Sequence, residues 1–169
     1  MTISLYQASI PLFKQMLNSL ADVLNKGAAD AELRKFEPAI LLQARLYPDM
    51  FPLIRQVQIA TDFARGSCAR LAGAEVPVFA LEQSSFTDLV AHIAESIAFI
   101  DTLKPADIDG QESREIILRP GTPKEKRMHA QTYLIHYALP QFFFHVTTSY
   151  AILRSNGVQV GKRDFMGAY

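Results

Sequence analysis

Apolar residues recur at Ile10, Phe13, Leu17, Leu20 and Leu24, in alternating steps of three and four that lay one stripe along a helix. Gly27 suits the C-terminal end of that helix. Pro38 opens a short helical stretch through Leu41, Leu42 and Arg45 that Tyr47-Pro48 interrupts. Pro52 starts the main second helix, with Leu53, Val57, Thr61, Ala64, Cys68 and Leu71 on one face and Gly73 as the stop. After a loop with Pro77, Ser85-Phe86-Thr87-Asp88 reads as a capping box. The helix it opens carries Leu89, Ile93, Ile97, Ile100 and Leu103 and is expected to end at Pro105.

Residues 106–131 break this pattern. The segment is polar, holds Gly110, Pro120, Gly121 and Pro123, and contains one β-prone run, Glu115 to Leu118, so it predicts a loop with a small hairpin whose second strand lies near Arg127 to Gln131. The last helix is expected within 133–155, with Pro140 as a kink or a fresh first turn and Asn156-Gly157 as its end. Four main helices without a repeated β pattern predict an all-α protein, an antiparallel four-helix bundle in a single domain spanning 1–169.

Composition narrows the function classes. The 169 residues are 49% hydrophobic, enough for one buried core, and no linker suggests a second. Seventeen basic and seventeen acidic residues cancel, so no basic face for nucleic acid is expected. Cys68 is the sole cysteine, which excludes an internal disulfide and a cysteine-rich zinc site. With neither a signal-peptide pattern nor a membrane-length apolar run, a cytoplasmic location is expected.

The last helix carries the candidate chemistry. Gln141, His145 and Ser149 stand four residues apart and share one face with Thr148, while Phe142, Phe143, Phe144, Tyr150, Ile152 and Leu153 surround them. A helix apolar nearly all round is buried, so this strip is expected to look into the bundle and to need polar partners. The second helix offers Gln58 and Asp62 one turn apart, with Arg55 a turn before Gln58. Two blander readings stand beside this one: Arg55 and Asp62 on a solvated face, and His145 as an ordinary hydrogen-bonded core histidine. Tyr47 and Tyr150 are available to orient a ligand, and His92 reads as a partly exposed helix-face residue.

The segments YPDMFPLIRQVQIATDFA and FHVTTSYAILRSNGVQVGKRDFMG, with Tyr-Pro-Asp-Met, Phe-His-Val-Thr-Thr and Gly-Lys-Arg-Asp-Phe in order, resemble an uncharacterised-domain family within the DinB/YfiT-like metalloenzyme superfamily. The resemblance spans essentially the whole chain and implies a four-helix bundle, often dimeric, with a β element before the last helix. Metal-binding members of that superfamily hold a divalent ion with one histidine from the second helix and a His-x-x-x-His pair on the last. His145 matches the second histidine of that pair, Gln141 stands in place of the first, and Gln58 is taken as the helix-two counterpart. One imidazole and two amides suit zinc or nickel poorly, even with Asp62 or Asp49 nearby. No cofactor is therefore expected, and His145 is the residue to hold a metal if one binds.

Three functions follow as expectations. The first is a small-molecule pocket around His145, Gln141, Gln58, Thr148, Ser149, Asp62 and Tyr47, with a degenerate metal site. The second, by resemblance, is metal-dependent thiol transfer or isomerisation. The third is a non-catalytic homodimeric interaction protein. His145 is the best catalytic candidate, because only imidazole titrates near neutrality in such a pocket.

Overall fold

The computed structural model describes residues 3–169. Helix α1 (Ile10–Leu33) runs well past Gly27. The glycine is not a terminator: a Cβ there would lie 3.0 Å from Leu153 and 3.2 Å from Phe86, so its bareness lets two other helices approach. The chain turns instead at Lys35, which takes a left-handed φ of 57°. A single helical turn, α2 (Ala39–Leu42), follows Pro38.

Helix α3 (Leu53–Ala72) begins after Pro52 and stops at Gly73 in the left-handed conformation, as its spacing predicts. Leu53, Val57, Thr61, Ala64, Cys68 and Leu71 are all fully buried along it. Helix α4 (Phe86–Ile100) opens on the expected box, with the Ser85 hydroxyl accepting from the Asp88 N–H and the Asp88 carboxylate accepting from the Ser85 N–H. It ends before Pro105, which starts a separate turn, α5 (Pro105–Ile108). The hairpin pairs β1 (Glu115–Leu118) with β2 (Lys126–His129) antiparallel, Glu115 opposite His129 and Leu118 opposite Lys126.

The last long helix begins at α6 (Ala130–Tyr133), passes through a π-helical turn over Leu134–Ala138, and continues as α7 (Leu139–Ser155). Pro140 has no N–H to give the carbonyl four residues back, and the widened turn just before it, closed by Leu139 N–H to Leu134 O, accommodates the ring without ending the helix. The terminal turn α8 (Lys162–Met166) folds back on α1, where Ser19 Oγ donates to Asp164 O at 2.7 Å and Lys26 pairs with Asp164 at 2.5 Å.

These elements form an all-α bundle in which α1 and α3 each pack against both α4 and α7, and α3 with α7 is the most extensive contact. Phe13 and Phe142, both fully buried, meet edge to face at 4.8 Å between ring centres. Among the described residues no helix is long and apolar enough to cross a membrane.

Phe142→Ala is expected to lower unfolding free energy by about 3–5 kcal/mol. Ser85→Ala should cost about 1 kcal/mol. Urea unfolding of both variants checks the ranking, and equal losses would contradict this account of core and cap.

Candidate functional site

Helix α3 is buried almost all round although it is rich in polar residues: Gln56, Gln58, Thr61, Arg65 and Ser67 are each at most 6% exposed. Thr61 Oγ1 bonds to the carbonyl one turn back, and the longer side chains reach neighbouring elements in three directions.

Toward α7, His145 Nδ1 lies 2.7 Å from Gln56 Oε1. Gln56 Nε2 in turn donates to Phe51 O at 3.1 Å, which orients the amide with its oxygen toward the histidine. An amide oxygen only accepts, so His145 Nδ1 carries the proton and Nε2 keeps its lone pair. Phe63 stacks on the imidazole at 6.0 Å and Phe144 meets its edge at 5.2 Å. Burial, and then the nearby Arg55 charge, hold the His145 pKa below its ordinary value, so the ring is neutral at neutral pH. This pairing is the arrangement that makes an imidazole a ligand, acceptor or base through its second nitrogen.

Toward α4, a one-way relay runs from Arg55 to Gln58 Oε1 at 3.3 Å, from Gln58 Nε2 to Gln83 Oε1 at 3.0 Å, and from Gln83 Nε2 to His92 Nδ1 at 3.3 Å. His92 is therefore protonated on Nε2, the opposite tautomer to His145. It is 3% exposed, not the partly solvated residue that its spacing suggests, because the loop carrying Phe79 and Gln83 folds over it. Arg65 beside it donates to Ser96 Oγ at 3.1 Å and Asp62 Oδ1 at 2.5 Å, and lies 4.1 Å over the Phe79 ring. Among the described residues, Arg65 Nε and His92 Nε2 have no partner although both are buried. Burial first, then Arg65, push the His92 pKa down against the opposing pull of Asp62 and Glu95.

Toward the hairpin and α6, Ser67 Oγ meets Tyr133 Oη at 3.1 Å, and Tyr133 stacks on Tyr137 at 5.8 Å. Here a cavity of about 300 Å³ opens, lined by Arg55, Ile59, Asp62, Phe63, Arg70, Leu118, Arg119, Tyr133 and Tyr137. Phe63 is shared: it walls this cavity and stacks on His145.

The residues expected from sequence are thus dispersed rather than gathered in one pocket. Thr148 and Ser149 are buried, but their hydroxyls donate to carbonyls of their own helix, Phe144 O and His145 O. Gln141 is half-buried one turn from His145. Gln58 faces α4 and not His145, Asp62 lines the cavity while pairing with Arg65, and Tyr47 is 66% exposed in the link between α2 and α3. Tyr150 packs its ring on Phe165. Cys68 is fully buried, and burial pushes its thiol far above the usual range, so it is inert packing. The residue that spacing missed is Gln56. Its signal is the row Gln56, Ala60, Phe63 and Ser67, in steps of four, three and four, the face that meets the last long helix.

No group of three or more His, Cys, Asp or Glu side chains comes together among the described residues. Around His145 the neighbouring donors are amides and hydroxyls, a set that does not fit zinc or nickel.

A family model described as a domain of unknown function, DUF1993, matches residues 5–166. The chain is also similar to the crystal structure of a DinB family member protein from Shewanella denitrificans, with 36% identity, 98% of this chain and 93% of that one covered, and a TM-score of 0.91. No curated protein matches it.

Both buried histidines have folded pKa values below about 6.5, so the unfolded chain binds more protons between those depressed values and 6.5. Stability is accordingly complete above about pH 6.5 and falls as the pH drops below it. Urea midpoints from pH 4.5 to 8 should show this slope in wild type and a shallower one in the His92→Gln, His145→Gln double variant. An unchanged slope in the double variant would refute the assignment.

Proposed function

The chain belongs to the DUF1993 family and has the DinB-like bundle, and on that footing we propose that it binds a small molecule beside His145, at a place where the superfamily's metal site has lost its ligand set. The observation that carries this reading is the 2.7 Å hydrogen bond from His145 to Gln56. It holds a neutral imidazole with Nε2 unprotonated, and a fixed lone pair in a largely apolar surrounding is a strong acceptor for a ligand O–H or N–H.

The same nitrogen can take a proton from a bound substrate, so His145 is the general base if the protein turns a substrate over. Gln56 is then a positioning residue that sets the tautomer. Metal-dependent thiol transfer or isomerisation is disfavoured, because glutamines stand at 141 and 58, the positions matched to the other two histidines, and the residue that meets His145 from α3 is the amide of Gln56.

A homodimer is a second reading, favoured by one feature. Leu46, Tyr47 and Phe51, in the link that leads into α3, are 42%, 66% and 54% exposed. Apolar side chains gathered on one surface link commonly mark an association face.

Elemental analysis of untagged protein is expected to find well under one equivalent of zinc or nickel. Ligand-observed NMR screening should find binders whose affinity drops about tenfold or more in His145→Gln, the loss of one good hydrogen bond in a buried site. A stoichiometric metal that vanishes in His145→Ala would contradict the degenerate-site reading, and binders indifferent to His145→Gln would contradict the pocket.

A further inference from the structure

The cavity between α3, β1 and α6 differs from the rest of the molecule in its charge. The protein has no net charge, yet Arg55, Arg70 and Arg119 all line this one space. Among the described residues none of the three forms a salt bridge, although six other ion pairs exist. The only carboxylate in the lining, Asp62, is already held by Arg65 at 2.5 Å. Lys126 adds a further positive charge 5.9 Å from the Tyr137 ring.

Two backbone features accompany the site. Gly66 sits inside α3, where glycine is the weakest choice after proline, and a Cβ there would lie 2.7 Å from Arg70 Nη1. The Arg70 guanidinium lies against the bare Gly66 backbone. Arg119, at the turn following β1, holds a left-handed φ of 52°, which few non-glycine residues adopt.

The other walls are not polar. Ile59, Phe63 and Leu118 supply apolar surface, and the stacked rings of Tyr133 and Tyr137 continue it. Burial raises the Tyr133 pKa, so its hydroxyl stays protonated.

We propose that this cavity binds a small organic oxyanion, a carboxylate or a phosphate monoester, with the anionic head between the Arg55, Arg70 and Arg119 guanidinium groups and an aromatic or aliphatic body against Phe63 and Leu118. Guanidinium forks match both kinds of oxyanion in geometry and charge, and about 300 Å³ is the lower range of small-molecule sites. The proposal rests on the small-molecule reading above and names the class of ligand. Phe63 links the two parts, because a body lying against it lies beside the ring that covers His145.

Titration calorimetry at low salt with phenyl phosphate, benzoate, inorganic phosphate and benzyl alcohol tests it. Phenyl phosphate or benzoate, or both, should bind, and which of them binds more tightly tells a phosphoryl from a carboxylate ligand. Benzyl alcohol should not bind, and inorganic phosphate should bind on the order of tenfold more weakly than its phenyl ester, which has apolar area to bury. Arg119→Gly removes one guanidinium and relaxes the turn, so it should keep or raise stability while weakening the aromatic anions about fivefold or more. Arg70→Gln should weaken them as well. No binding of either aromatic anion to wild type would overturn the proposal, and so would equal affinity in Arg119→Gly and Arg70→Gln. If those equal affinities fell in His145→Gln, the small-molecule reading would stand and only the anion cavity would be lost.

Discussion

The fold depends on the satisfaction of one helix. Helix α3 is the most enclosed long element of the bundle, and its buried positions include two glutamines, an arginine, a threonine and a serine. Each such group left without a partner costs about 1–3 kcal/mol, so the helices around α3 are held in the register that supplies partners. Gln56 meets His145 of α7, Arg65 meets Ser96 of α4, and Ser67 meets Tyr133 of α6. Apolar packing of Leu, Ile and Phe tolerates small slips between helices, whereas these pairings do not.

Direction in the hydrogen bonds turns this structural demand into chemistry. Backbone carbonyls at Phe51 and Ala80 orient the amides of Gln56 and Gln83, and those amides impose opposite tautomers on His145 and His92. One histidine thereby presents a lone pair and the other a buried N–H. The His145 ring is held by the Gln56 amide, and Phe63, which stacks on that ring, is also one wall of the arginine-lined cavity.

Much of this was legible in the chain. The spacing of Leu53, Val57, Thr61, Ala64, Cys68 and Leu71 marks the buried face of α3 because helical period alone decides it, and Ser85 to Asp88 marks a helix start because the cap is a local bond. The β1 run is equally local. Gly27 and Pro105 misled as terminators, since their roles are set by neighbours distant in sequence and by the end of α4 at Ile100. Gln56 and Gln58 look alike in the sequence but project from opposite sides of α3, and only the row Gln56, Ala60, Phe63 and Ser67 marks the side that faces α7. Arg55, Arg70 and Arg119 come from α3 and the β1 turn, so their convergence exists only once the hairpin packs beside the helix.

The direct test of this account is the protonation pattern of the His145 ring, read from two-dimensional long-range proton–nitrogen correlation spectra of labelled protein near pH 7, with Gln56→Leu as the comparison. Wild type should show a neutral ring with the proton on Nδ1 and an unprotonated Nε2, and Gln56→Leu should lose that fixed pattern. A ring protonated on both nitrogens, or carrying its proton on Nε2, would contradict it.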